Sequence, residues 1–125
     1  MNEDKLTVSS KQLLNDISGI AYEYGNQELE QEHLLLAMLR AKDGLIGKLI
    51  EKMEIDLGAF TKRAEKAVEK RVKVQGGELR AGQYLMRALN AAEDEARSMG
   101  DEYTATEHLF LGLIKAPNSE IKEIF

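Results

Sequence analysis

An internal duplication constrains this chain more than any other feature. Residues 11–50 and 86–125 align without a gap at an offset of 75, and ten of the forty aligned positions are identical. The identities are Leu14/Leu89, Asn15/Asn90, Ala21/Ala96, Gly25/Gly100, Glu32/Glu107, His33/His108, Leu34/Leu109, Leu36/Leu111, Ala41/Ala116 and Ile46/Ile121. Two copies are too few for a solenoid. They predict a pseudo-twofold domain in which each copy buries its apolar face on the other.

Both copies read as helix almost throughout: one proline, three phenylalanines and many Leu, Ala, Glu and Lys leave little to favour strands. Between residues 8 and 24, Leu13, Leu14, Ile17, Ile20, Ala21 and Tyr24 fall at the three-and-four spacing of one buried stripe. Thr7, Ser9 or Ser10 can cap that helix, and Gly25 stops it. Residues 83–99 repeat the pattern, with Gly100 as the stop. The densest apolar runs, 33–39 and 108–114, read as two central helices covered on nearly all sides. Thr104–Glu107 fits a capping box, whereas the first copy carries Leu29 where Thr104 stands. Residues 42–44 and 116–118 read as turns, and 45–53 and 119–125 as short helices. A fourth helix is predicted over 56–73, with Leu57, Phe60, Ala64, Ala67, Val68 and Val72 facing inward. The expected organisation is one all-α domain over 1–125: a first repeat at about 7–73, a linker at about 74–82, and an incomplete second repeat at about 83–125. The second copy stops before any counterpart of the fourth helix, so the chain reads as one module of a longer polypeptide.

Bulk properties exclude several function classes. A formal charge of −5 argues against a dedicated nucleic-acid binder. With no cysteine there are neither disulfides nor thiolate metal sites, and the two histidines lie a full repeat apart. Residues 1–10 lack the apolar stretch of a signal peptide, and no apolar run reaches the roughly 18 residues of a spanning helix. A cytoplasmic domain without membrane contact is the expectation.

No catalytic constellation is present. Residues 77–84 have the two glycines of a phosphate loop, but Gln83 and Tyr84 stand where Lys and Ser/Thr must contact phosphate and magnesium. The histidines, at the edges of apolar helices, read as core groups with satisfied hydrogen bonds. Glu107 is explained by its place at a helix start. Glu32, without a partner hydroxyl, is left to another role, and two symmetric carboxylates could receive cationic side chains of a partner. The six basic residues of 62–73 read as a solvated face, with nucleic acid or an acidic partner as the alternative.

Residues 24–35 (Tyr-Gly-Asn-Gln-Glu-Leu-Glu-Gln-Glu-His-Leu-Leu) and 106–114 (Thr-Glu-His-Leu-Phe-Leu-Gly-Leu-Ile) resemble the paired signatures of the Clp N-terminal domain. That domain precedes the ATPase rings of Clp/Hsp100 unfoldases. The resemblance spans essentially the whole chain. The first run and Asp101-Glu102-Tyr103 are most similar to ClpB-type disaggregases, with the protease-associated ClpC type as the alternative. It implies an eight-helix all-α domain on a mobile linker, so this chain is truncated before the last helix. It also implies a homohexameric AAA+ parent that uses ATP and Mg, while this fragment is not an enzyme and holds no cofactor. The domain itself is expected to be a monomer.

Resemblance to the ClpB type implies capture of unfolded or aggregated polypeptide through Thr7, Asp101 and Glu107. Resemblance to the ClpC type implies adaptor docking, or phosphoarginine binding through Glu32, Glu107 and Thr7. The counterpart of Thr7 is Gly82, which removes a hydroxyl from the second of two such sites. A free-standing Clp-associated structural protein is the third reading.

Overall fold

The computed structural model describes residues 3–41, 44–74 and 76–125. Among them are seven α-helices: α1 (Val8–Tyr24), α2 (Gln31–Arg40), α3 (Leu45–Lys52), α4 (Leu57–Glu69), α5 (Gln83–Ser98), α6 (Thr106–Lys115) and α7 (Ser119–Ile124). Two short strands, β1 (Glu28–Leu29) and β2 (Arg80–Ala81), complete the fold. The architecture is all-α and duplicated, as the repeat demands. None of the described helices is long and apolar enough to cross a membrane.

Local sequence accounts for the helix ends. The Thr7 hydroxyl accepts the Ser10 amide at 3.1 Å and starts α1. Gly25 and Gly100 stop α1 and α5 in the left-handed region, at φ 70° and 73°, where a side chain would be strained. Asp56 and Asn118 cap α4 and α7 through their side-chain oxygens. Helix α2 lies at the centre, with every residue from Gln31 to Leu39 buried. Its counterpart α6 buries His108–Phe110, Gly112 and Leu113 but leaves Ile114 exposed. One continuous apolar cluster joins all seven helices.

The two repeats are stitched by reciprocal strand pairing that periodicity does not reveal. Leu6, entering α1, pairs in parallel with Thr104, which precedes α6. At the same offset of 75, β2 enters α5 and pairs in parallel with β1, which precedes α2. Each repeat thus begins by lying against the loop of the other, as a pseudo-twofold axis requires.

Two local expectations are corrected. Helix α4 ends at Glu69 rather than Lys73, and Val72 is 80 % exposed instead of buried. Residues 70–74 leave the helix because they find better partners along the loop after α1. Val74 N–H donates to Gly25 O at 2.9 Å, the Asn26 amide to Val72 O at 3.2 Å, and the Lys73 ammonium to Tyr24 O at 3.0 Å. The Thr104–Glu107 capping box does not form. Ala105 occupies the cap, and the reciprocal bond comes from His108, whose Nδ1 accepts the Ala105 amide at 2.8 Å. The run over 77–84, which lacks the Lys and Ser/Thr of a phosphate loop, carries the short strand β2. Of the turn expected over 42–44, residues 42 and 43 lie outside the described residues.

Candidate functional site

The duplicated Glu-His pairs build two sibling sites. In the first, His33 Nδ1 accepts the Glu30 amide at 2.9 Å, and Nε2 lies 2.9 Å from Asn26 Oδ1. In the second, His108 Nδ1 accepts the Ala105 amide and Nε2 lies 2.9 Å from Asp101 Oδ2. An amide hydrogen pointing at Nδ1 leaves the ring proton on Nε2, so each histidine ties a helix start to the preceding loop. Both are the core histidines that their setting predicts. Asn26 and Asp101 are counterparts, so only the second site gains a charge.

Burial, then the nearby Arg71 guanidinium, push the His33 pKa down to about 4, against smaller opposing effects of Glu32 and the Glu30 backbone. A depressed native pKa means that the unfolded chain binds the proton first. The stability contributed by neutral His33 is therefore complete above about pH 6.5 and lost as pH falls toward 4, on the order of 3 kcal/mol in all. Urea midpoints measured across that window should fall steadily. His33→Gln should flatten the slope, and an unchanged slope would show that other groups carry it.

The glutamates that follow have opposite fates. Glu107 is exposed and has no ion pair among the described residues. Glu32 is 0 % exposed. Its Oε2 accepts Arg71 Nη1 at 2.8 Å and its Oε1 accepts Asn118 Nδ2 at 2.7 Å. The expectation that Glu32 stands open to a partner is thus corrected: it does receive a cation, but the chain's own. Arg71 also reaches Glu28 at 3.3 Å. Beside this pair, Gln31 donates to the carbonyls of Tyr84 and Ala116 at 2.7 Å each and accepts the Asn118 amide at 2.9 Å. This polar node joins both repeats, and sequence reading missed all of it except Glu32.

The Gly82 departure has a physical counterpart. A Cβ at Gly82 would coincide with the carboxylate of Glu30. In the other half the sizes are exchanged: Thr7 faces the loop that carries Ala105, the counterpart of Glu30. Glu30 is 3 % exposed, its Oε1 has no protein partner, and burial raises its carboxyl above the usual range. With Glu32 occupied and Glu30 filling the space beside Gly82, a symmetric pair of anion-and-guanidinium sites is not formed.

On the other side, the Leu6–Thr104 pairing gathers the remaining candidates. Thr7 N–H donates to Thr104 O at 3.1 Å, and Ser10 Oγ donates to the same oxygen at 2.9 Å. Thr104 stands midway in sequence between Asp101 and Glu107, both exposed. A groove of about 350 Å³ opens between α1, the end of α2, the start of α3 and Thr106. Leu13, Met38 and Leu45 line it, with Ser9, Gln12 and Asp16 along the rim. Periodicity assigns Leu13 and Met38 to the core, where both are buried, so they form the floor of the groove and Leu45 its exposed apolar wall.

The chain is thus a duplicated all-α repeat domain that carries an apolar groove with Ser9, Gln12 and Asp16 at its rim. Residues 5–125 match the family model of the Clp repeat N-terminal domain, and the chain belongs to that family. Among curated relatives, the chaperone ClpB of Clostridium perfringens is 38 % identical over 76 residues, 61 % of this chain and 9 % of that protein. The chain therefore spans about a tenth of the length of the curated relatives it matches. The crystal structure of the Candida albicans Hsp104 N-terminal domain superposes with a TM-score of 0.87 at 21 % identity, covering 97 % of this chain and 79 % of that one. A ClpV N-domain in complex with a VipB peptide gives a TM-score of 0.73 at 15 % identity, covering 98 % and 78 %.

Proposed function

We propose that this domain captures unfolded or aggregated polypeptide for the AAA+ ring of a ClpB-like disaggregase. The observation that carries this reading is the groove beside Thr106, with Ser9, Gln12 and Asp16 at its rim and the exposed Glu107 next along the chain. An apolar side chain of an unfolded segment suits Leu45, which is 52 % exposed, while its amides and cations suit the rim. Such a shallow site favours dissociation constants of about micromolar or weaker, which lets a client be released to a pore. In a hexameric parent, six copies would compensate through effective concentration. ATP and Mg would act in that parent's ring, outside these residues. The ClpV–VipB complex supports a second reading of the same surface, docking of a defined adaptor peptide.

The test is an NMR titration of the labelled domain with a permanently unfolded polypeptide. Shifts are expected at Ser9, Gln12, Leu45 and Thr106 and around Asp101 and Glu107. Asp101→Asn should weaken binding up to about fivefold, the range for an exposed charge pair. That variant leaves His108 its acceptor, as Asn26 does for His33, so the loss reports charge rather than folding. Absence of shifts at both the groove and its rim would remove client capture by this domain.

A further inference from the structure

Each repeat has a glycine inside one helix of its first antiparallel pair, and only one of the two has a reason within the fold. Gly112 on α6 admits the α5 backbone, where a Cβ would overlap the Ala88 carbonyl oxygen. Gly19 lies in the middle of α1, where glycine is a poor helix former. It is exposed, and a Cβ there would meet nothing within 4 Å outside its own helix. What Gly19 does border is a groove of about 330 Å³ between α1 and α2, floored by the buried Ile20 and Ala37. The sibling crossing is drawn tight, since Lys115 on α6 pairs with Glu95 on α5. In the first repeat Ile20 stands in place of Glu95, and Arg40, the counterpart of Lys115, turns instead to Glu23 at 2.8 Å.

We propose that a captured polypeptide continues from the groove beside Thr106 into this α1–α2 groove as an extended segment, its main chain passing over Gly19 and a backbone amide or cationic side chain meeting Asp16. This rests on the capture reading above and adds the path and length of the bound segment. Asp16 and Ala41 line both grooves, which makes them one continuous channel along α1. From Ser9 to Glu23 the channel runs about 21 Å at 1.5 Å per helical residue, the reach of about six residues of extended chain. A helix surface without a side chain lets a second backbone lie closer than any other residue type allows. At the junction, Asp16 is exposed, accepts from Gln12 at 3.0 Å and has no ion pair among the described residues. Glu23 is neutralised by Arg40, so the charge left for a ligand is that of Asp16, which suits a donor and disfavours an acidic segment.

The experiment is an NMR titration of the labelled domain with the same permanently unfolded polypeptide. Asn15, Gly19, Ala37 and Arg40 should shift together with Ser9 and Thr106. Gly19→Gln places a solvated chain in the groove, so it should raise the urea midpoint and yet weaken binding about fivefold or more. Gly19→Ala adds one methyl to open space and should raise the midpoint while weakening binding less. Asp16→Asn should weaken binding about threefold and reduce its dependence on salt. Unchanged affinity in Gly19→Gln would overturn the proposal, and so would a lowered urea midpoint, which would mean that the fold itself closes over Gly19. Shifts confined to Ser9, Gln12, Leu45 and Thr106 would also overturn it while leaving client capture intact. Absence of shifts in both grooves would overturn the capture reading along with it.

Discussion

Replacing Gly112 by valine is expected to lower the unfolding free energy by about 3 kcal/mol, the upper end of overpacking penalties. Gly112 is where α6 approaches α5 most closely. A Cβ there would overlap the Ala88 carbonyl oxygen and lie 3.0 Å from the Ala92 amide nitrogen. The obstacle is the backbone of a packed helix, which no rotamer change relieves, and two γ-methyls enlarge the conflict. Alanine at 112 should also destabilise, but less, since its better helix propensity returns about 1 kcal/mol. The counterpart in the first repeat is Ala37, so the duplicated sequence tolerates a methyl at one helix crossing and excludes it at the other. Urea unfolding followed by circular dichroism checks this. A valine variant as stable as the parent chain would mean that α5 and α6 are not in such close contact.

Removing the guanidinium with Arg71→Ala is expected to cost about 3 kcal/mol, the lower end for breaking a buried ion pair. Among the described residues, Glu32 would keep Asn118 at one oxygen and lose the cation paired with the other. The lower end applies because Arg71 is itself 24 % exposed and therefore partly solvated. Glu32→Gln should be milder, because the amide oxygen still accepts from Asn118 and Arg71 retains Glu28. In the double variant the penalties should be clearly less than additive, since the second change removes the charge that the first stranded. Additive losses would place Arg71 and Glu32 in independent roles. Glu107→Gln is the matched control, as the same residue type at the sibling position is solvated.

Comparison of the two glutamates shows where sequence reasoning ends. The offset of 75 pairs Glu32 with Glu107 and His33 with His108, and both histidines do play the same structural part. The alignment separates the glutamates only by the hydroxyl at Thr104 that Leu29 lacks, which does not say which of the two is buried. Their fates diverge because residues 70–74 unwind from α4 and Arg71 folds back onto Glu32, while no described cation pairs with Glu107. Helical periodicity carried Val72 inward, since the pattern cannot weigh one more helical turn against hydrogen bonds to a loop far away in sequence. The capping error at Thr104–Glu107 has the same source: the Thr104 amide and carbonyl are taken up by Lys5 and Thr7 from the chain's other end.

Sequence alone determined the duplication, the helical class, the glycine stops at 25 and 100, and the identity of the most buried helices. These follow from short-range spacing, propensity and the need of each amphipathic copy to cover the other. Only the tertiary structure decided which glutamate is buried, how Glu30 fills the space beside Gly82, and that Thr7 lies against the loop bearing Asp101 and Glu107. Those outcomes depend on which distant groups meet across the pseudo-twofold axis. A buried carboxylate is tolerated only where a cation reaches it, and here a single arginine reaches one of the two sites.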